Sequence, residues 1–325
     1  MTVPGIGVTL GDPGGVGPEV VLKSLAGWSQ PNDIRIVVFG ERRIVDTALE
    51  SLNIGLELVS WTEKPEKGPG IYLKDLGVSR GGPSFGGPGH VNGEASFRFF
   101  EEAVEAARLG QVQAVVTAPI SKASWRLAGI PWRGHTEYLE HFYPGAVMSF
   151  WSDRLKVALF THHLPLKEAL GRIRREKLID FFKNLCASLE KVRGSEFELF
   201  VSGLNPHAGE EGLLGPEDEE IIRPSVEAAR AEGIRISGPY PPDTVFLKAR
   251  DRKDAMAVAL YHDQGLIAFK ILAFETGVNV TLGLPFLRTS PDHGTAFEIA
   301  GKGIADPRSM SEALKFASSF TAAAS

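Results

Sequence analysis

Short apolar runs alternate along the chain with longer stretches in which apolar residues recur at helical spacing. IGVTLG (6–11), IRIVVFG (34–40), LELVSW (56–61) and QAVVTAP (113–119) read as strands, as do LKVALFTHH (155–163), FELFVSG (197–203), AMAVALYH (255–262) and VNVTLGLP (278–285). Several are continuously apolar rather than alternating, which is the pattern of strands buried on both faces. The stretch 92–109 reads as a helix with Asn92 as its cap, an apolar stripe through Phe100, Val104 and Ala107, and Gly110 at its stop. Residues 174–192 are amphipathic. The helix expected over 216–232 opens PEDEE, with proline and acids where the helix dipole favours them. Ser309 and Glu312 have the spacing of a capping box for the final helix. This alternation predicts an α/β protein with a largely parallel sheet, or two such sheets. Residues 62–91 break the pattern; they are rich in Gly and Pro and read as a surface excursion with His90 exposed. No internal repeat interrupts the sequence.

A length of 325 residues suffices for two ordinary domains or one large one. With 43% hydrophobic and 23% charged residues the composition is globular. A net charge of −5 and the lack of any Lys/Arg-rich run leave no footprint for nucleic acid or for a basic membrane-facing surface. No apolar run approaches the roughly 20 residues of a membrane span, and the N-terminus lacks signal-peptide features. A cytoplasmic location is therefore expected. Cys186 is the single cysteine, so an intrachain disulfide and a CxxC motif are excluded. Its apolar, helical setting reads as that of a buried structural thiol.

Chemistry changes the picture at the ends of the strands. In LNPHAGEEG (204–212), proline has already ended the strand before His207 arrives. His163 ends VALFTHH and His262 ends VALYH, so three of the eight histidines follow strand-like runs. Neutral imidazole is the commonest side-chain ligand for divalent metals, and three with open positions suit a catalytic site. They converge only if their strand ends share one rim or meet across an interface; otherwise each is separately hydrogen-bonded. Spacing does not choose between His163 and its neighbour His162. The loop GDPGGVGPE (11–19) joins a strand to a helix, and Gly14, Gly15 and Gly17 make it either a phosphate or cofactor loop or a tight turn. It is neither G-x-G-x-x-G nor a Walker A. His135 and Thr136 sit at a predicted helix N-terminus, Lys270 lies two helical turns beyond His262, Asn279 falls in a strand and Arg288 just past its end. Cations beside His and Thr suggest a pocket for a phosphorylated or carboxylated substrate.

GDPGGVGPE, TAPISK, GHTE, THHLPL, GLNPHAGEEG, GPYPPDTVF, YHDQGL and GVNVTLGLPFLRTSPDHGTA resemble, in order, the signature segments of the 4-hydroxythreonine-4-phosphate dehydrogenases of pyridoxal 5'-phosphate biosynthesis. The resemblance covers nearly the whole chain. It implies two α/β/α domains with a cleft between them, similar to isocitrate and isopropylmalate dehydrogenases, the first being residues 1–120 with 271–325 and the second 121–270. It implies a cytoplasmic homodimer with a shared active site, NAD or NADP as cofactor without a Rossmann fingerprint, and a divalent ion such as zinc, cobalt or magnesium. The metal histidines fall on His163, His207 and His262, with the third supplied by the other subunit, and the position before LPL selects His163 over His162. Substrate-binding positions fall on His135, Thr136, Lys270, Asn279 and Arg288. Asp243, Asp263 and Lys122 are further candidates for orienting a ligand histidine or moving a proton, beside plainer roles as a turn cap or a surface lysine. The implied reaction oxidises the secondary alcohol of 4-phosphohydroxy-L-threonine and then loses CO₂, giving 3-amino-2-oxopropyl phosphate. Paralogues similar to this family act on 4-phosphoerythronate or 4-phosphothreonate. Two other classes use the same residues: a metal-dependent phosphatase and a non-catalytic phosphometabolite binder.

Overall fold

The structure, a computed structural model, describes residues 3–28, 33–61, 68–78, 85–193 and 197–323. The segment 62–67 and residues 79–84, which belong to the Gly/Pro-rich excursion, lie outside the described residues. In chain order the elements begin β1 (Gly5–Thr9), α1 (Gly17–Ala26), β2 (Arg35–Gly40), α2 (Arg42–Leu52), β3 (Val59–Ser60), β4 (Gly70–Asp75), α3 (His90–Arg108), β5 (Ala114–Thr117), α4 (Lys122–Leu127) and α5 (His135–Phe142). They continue with β6 (Val147–Trp151), β7 (Lys156–Leu159), α6 (Leu166–Arg172), α7 (Arg175–Arg193), β8 (Glu198–Ser202), α8 (Arg223–Ala231) and β9 (Ile236–Tyr240). The last are α9 (Val245–Ala249), β10 (Ala255–Ala259), α10 (His262–Ala273), β11 (Val278–Leu282), β12 (Leu287–Pro291) and α11 (Arg308–Ala323).

The chain divides into two compact units, Met1–Phe142 with Pro285–Ser325, and Tyr143–Leu284. In the first, the strand order is β3-β4-β2-β1-β5-β12 and every pairing is parallel. β1, β2 and β5 are buried at every position, because helices cover both faces of the sheet. α3 packs on β1, β2 and β5, whereas α11 packs on β12 and β5. The resulting core includes Ile6, Val8, Ile36, Phe99, Phe100, Val115, Trp125 and Leu314. In the second unit the order is β11-β6-β7-β10-β8-β9, with β6 antiparallel to both its neighbours and the other pairings parallel. Its core clusters Phe150, Val157, Phe200, Val245, Met148, Leu266 and Phe269. The expected α/β class with mostly parallel sheets is what both units adopt.

The differences from the sequence reading have local causes. α3 begins at His90, with Gly89 at its cap, so the exposed His90 opens the helix and Asn92 is fully buried inside it. α11 begins at Arg308. Ser309 there accepts from the Asp292 amide (3.1 Å) and Glu312 pairs with Lys315 (2.7 Å), so both side chains have other partners than a capping box would give them. The helix expected over 216–232 is a π-helical turn, Asp218–Ile222, running into α8. Cys186 is half-buried on α7, less enclosed than its apolar neighbours suggested. Strand β9 escaped notice because its sequence, ISGPY, contains a glycine and a proline; it is an edge strand, where a missing N–H is tolerated.

Candidate active site

Strands β7, β10 and β8 are neighbours in that order and run parallel. Their carboxyl ends therefore share one rim, at roughly 4.8 Å per strand. His163 follows β7, His262 opens α10 after β10, and His207 sits in the turn Pro206–Gly209 after β8. The His163 and His262 rings lie 5.7 Å apart and are tilted by 38°, while the His162 ring stands 5.3 Å from that of His163. The third imidazole is not in this group: among the described residues of one chain, no three His, Cys, Asp or Glu side chains gather closely enough to hold a metal ion. His207 instead contacts Glu210 through Nδ1. That hydrogen bond, and then the charges of Glu210 and Asp243, raise the His207 pKa above its ordinary value. His262 Nδ1 lies 2.7 Å from Asp263 Oδ1, which leaves Nε2 for another partner. Glu210 is therefore a carboxylate partner that sequence reasoning missed, although the motif printed it three residues after the histidine.

Two of the three histidines stand on left-handed backbone, His163 at φ 47° and His207 at φ 54°. Ala208 (55°), Glu210 (43°) and Glu211 (56°) extend the run. For residues with a Cβ this conformation costs roughly 1–2 kcal/mol each, and it persists where the surroundings enforce it, commonly at functional sites. Ahead of the His207 run, Asp218 anchors the chain. It is fully buried, with Oδ1 accepting from the Leu204 amide (2.8 Å) and Oδ2 from the Asn205 amide (2.9 Å). Gly203 is needed beside it, since a Cβ there would lie 2.8 Å from Ala208 Cα and 2.9 Å from Asp218 Oδ1.

The first unit carries a buried cation. Arg288 on β12 is 4% exposed, and burial lowers its pKa to about 10. It donates to Thr117 Oγ1 from Nε (3.1 Å) and Nη2 (2.7 Å), and Nη2 also reaches His135 Nδ1 at 3.3 Å. Since a guanidinium only donates, His135 Nδ1 accepts and the proton of the neutral ring sits on Nε2. The His135 pKa is pushed well below 6.5, first by burial and then by Arg288. Phe100 (4.4 Å between centroids) and Trp125 (5.4 Å) form the apolar walls that desolvate it. His135 Nε2 is buried and finds no partner among the described residues. A buried donor left open in this way is costly unless something accepts from it. Thr136 follows on α5, half-buried.

The remaining predicted residues fall as follows. Lys270 is half-buried on α10, 5.9 Å from the Phe274 ring centroid. Asn279 lies on β11 with Oδ1 buried and no partner among the described residues. Asp243 is exposed, and Lys122 opens α4 with its side chain exposed. In the glycine loop, the Gly14 amide donates to Asp12 Oδ1 (2.9 Å), that of Gly15 to Asp12 O (3.1 Å), and that of Val16 to Thr295 O (2.9 Å). A Cβ on Gly15 would meet Thr295 O at 2.7 Å and one on Gly17 would meet Leu10 O at 2.3 Å, so close packing accounts for both glycines. Asp12, fully buried, accepts from Ser124 Oγ (2.7 Å), and burial raises its pKa against the effect of its hydrogen bonds.

The second unit thus carries imidazoles beyond adjacent parallel strands, and the first carries a buried arginine beside a histidine whose Nε2 has no partner among the described residues. The family described as "Pyridoxal phosphate biosynthetic protein PdxA" matches residues 32–317. A 4-hydroxythreonine-4-phosphate dehydrogenase of Desulforapulum autotrophicum is 39% identical over 322 residues, 97% of this chain and 94% of that protein. A D-threonate 4-phosphate dehydrogenase of Cupriavidus necator is 41% identical over 319 residues, 96% of each. The crystal structure of 4-hydroxythreonine-4-phosphate dehydrogenase from Klebsiella pneumoniae superposes with a TM-score of 0.87 at 35% identity, covering 98% of this chain and 99% of that one. The chain belongs to the PdxA family.

Proposed function

We propose that this protein is a nicotinamide-dependent dehydrogenase of a phosphorylated hydroxy acid. Its substrate on this reading is 4-phosphohydroxy-L-threonine, oxidised at the secondary alcohol and decarboxylated to 3-amino-2-oxopropyl phosphate, a step towards pyridoxal 5'-phosphate. The observation that carries the reading is the placement of His163, His207 and His262 beyond three adjacent parallel strands, in a chain of this family.

His163, His207 and His262 are assigned to a divalent cation such as zinc, cobalt or magnesium. In one chain two of the three rings stand near each other: His163 and His262 lie 5.7 Å apart, and Asp263 contacts Nδ1 of His262, which leaves Nε2 as that ring's donor. When bound, such an ion acidifies an alcohol and stabilises the enolate that follows loss of CO₂. Arg288 and Lys270 supply positive charge for the phosphate. His135, neutral and with Nε2–H open, donates to a substrate oxygen, and Thr136 adds a hydroxyl. Asn279 offers its unpartnered Oδ1 to a substrate N–H or O–H. Asp263 and Asp243 hold charge beside the imidazoles. NAD or NADP accepts the hydride; the amides of Gly14, Gly15 and Val16 are used inside the chain, so no residue of that loop is assigned to it.

A homodimer is part of the same reading. Along α10, Ile267 (64% exposed), Ile271 (79%) and Phe274 (68%) leave an apolar stripe on the helix that His262 opens. A second copy covering that stripe brings further imidazoles near the first set, which suits a site shared between subunits.

One observation favours a second substrate. The D-threonate 4-phosphate dehydrogenase of Cupriavidus necator is as similar to this chain as the 4-hydroxythreonine-4-phosphate dehydrogenase is. The experiment is absorbance at 340 nm with NAD, a divalent ion and either 4-phosphohydroxy-L-threonine or 4-phospho-D-threonate. NADH formation with the first and little with the second is the expected result. The reverse transfers the assignment to the acid without the amino group. Phosphate release without NADH overturns both and leaves a phosphatase.

A further inference from the structure

Three buried hydrogen bonds tie together the strand ends that carry the histidines. Thr161, two residues before His163, donates from Oγ1 to Leu260 O at 2.7 Å. The Leu260 amide, two residues before His262, donates to Gln264 Oε1 at 2.7 Å. Gln264 Nε2 donates to Gly203 O at 2.8 Å, just ahead of the loop that holds His207. Thr161, Leu260 and Gln264 are all buried. The carbonyl of Gly203 can only accept and the amide of Leu260 can only donate, so the orientation of the Gln264 amide is fixed by its partners. No other side chain of this length offers one acceptor and one donor at the same end. A glutamate keeps the acceptor and turns a carboxylate oxygen towards the Gly203 carbonyl, and a methionine has neither group.

We propose that Gln264 is a positioning residue that anchors the backbone leading into the His207 loop and into the turn that opens at His262, whichever copy's cation each ring serves, with Thr161 doing the same for the His163 end. The proposal rests on the assignment of those imidazoles to a cation. These bonds join backbone just past the ends of three strands, at Leu159, Ala259 and Ser202, and short of the histidines themselves. Loss of a partner that orients a metal ligand typically weakens binding by about ten- to a hundredfold.

The test is Co(II) binding to the purified, metal-free full-length protein, followed by visible absorption and by competition with a chelator. Gln264→Glu and Gln264→Met are expected to bind Co(II) about tenfold or more weakly than the unaltered protein, with a changed visible spectrum. Thr161→Val is expected to follow them, and Thr161→Ser, which keeps the hydroxyl, to restore both affinity and spectrum. Circular dichroism confirms folding, and Thr161→Val carries the test if the Gln264 variants do not fold. Affinity and spectrum unchanged in the folded variants overturn the proposal, even if their melting temperature falls. A Co(II) affinity that is already insensitive to His163→Ala and His262→Ala in the otherwise unaltered protein overturns the cation assignment itself, and the positioning role with it.

Discussion

At the scale of single residues, the first unit concentrates its chemistry in Arg288 and His135. The guanidinium gives two of its donors to one hydroxyl, on Thr117, and touches His135 from the same nitrogen. Arg288→Lys keeps a charge but loses this fork. With charged hydrogen bonds at about 1.5–3 kcal/mol, the variant should raise KM for the phosphorylated substrate by about tenfold or more, with a smaller effect on kcat, in steady-state assays. His135 predicts a pH dependence of stability. Its folded-state pKa is depressed below 6.5. Between that value and 6.5 the unfolded chain binds a proton that the folded chain refuses, so stability falls as pH drops below 6.5. The slope from this one group is at most about 1.4 kcal/mol per pH unit. Urea unfolding from about pH 7.5 down to about pH 5.5 should show that slope reduced in His135→Asn. These residues were legible as substrate candidates from their helix and strand positions. Their partner Thr117 was not, because a threonine ending an apolar strand carries no signal in sequence.

Elements decide how the histidines are presented. The apolar runs ending in His163 and His262 and the strand ahead of LNPHAGEEG were readable, and so was their position at strand ends. What the sequence could not supply was the order β7-β10-β8, which makes their carboxyl ends neighbours. Nor could it supply the left-handed backbone of 207–211, ahead of which the buried Asp218, thirteen residues downstream of Asn205, anchors the chain. Removing that carboxylate leaves two amides unsatisfied. Asp218→Ala should therefore destabilise the protein by about 2–6 kcal/mol in urea unfolding, at about 1–3 kcal/mol for each orphaned group. Gly203→Ala should lower divalent-cation affinity more than it lowers stability, because its Cβ would press on Ala208 beside His207. Isothermal titration beside thermal unfolding checks this; an unchanged affinity would mean the loop yields without moving the ring. Polar or broken strands such as LRTSP and ISGPY were missed for a common reason: a pattern of apolar residues does not mark them, and neighbouring strands form them.

For the whole molecule, a net charge of −5 leaves no basic footprint for nucleic acid, and no helix among the described residues is long and apolar enough to cross a membrane. The exposed stripe of α10 makes the assembly testable. Ile271→Glu should shift a dimer to monomer in sedimentation velocity and remove most activity, whereas a monomeric unaltered protein would leave the stripe without the proposed role. The proposed activity depends on one cation gathered by imidazoles at 163, 207 and 262. The most direct measurement is the anomalous difference density of a crystal of the protein loaded with Co(II) or Zn(II). The account predicts one peak per site within about 2.0–2.1 Å of a ring nitrogen from each of the three histidines, counting both copies of the chain. Absence of a peak, or a peak held by other residues while those rings stay apart, would contradict it.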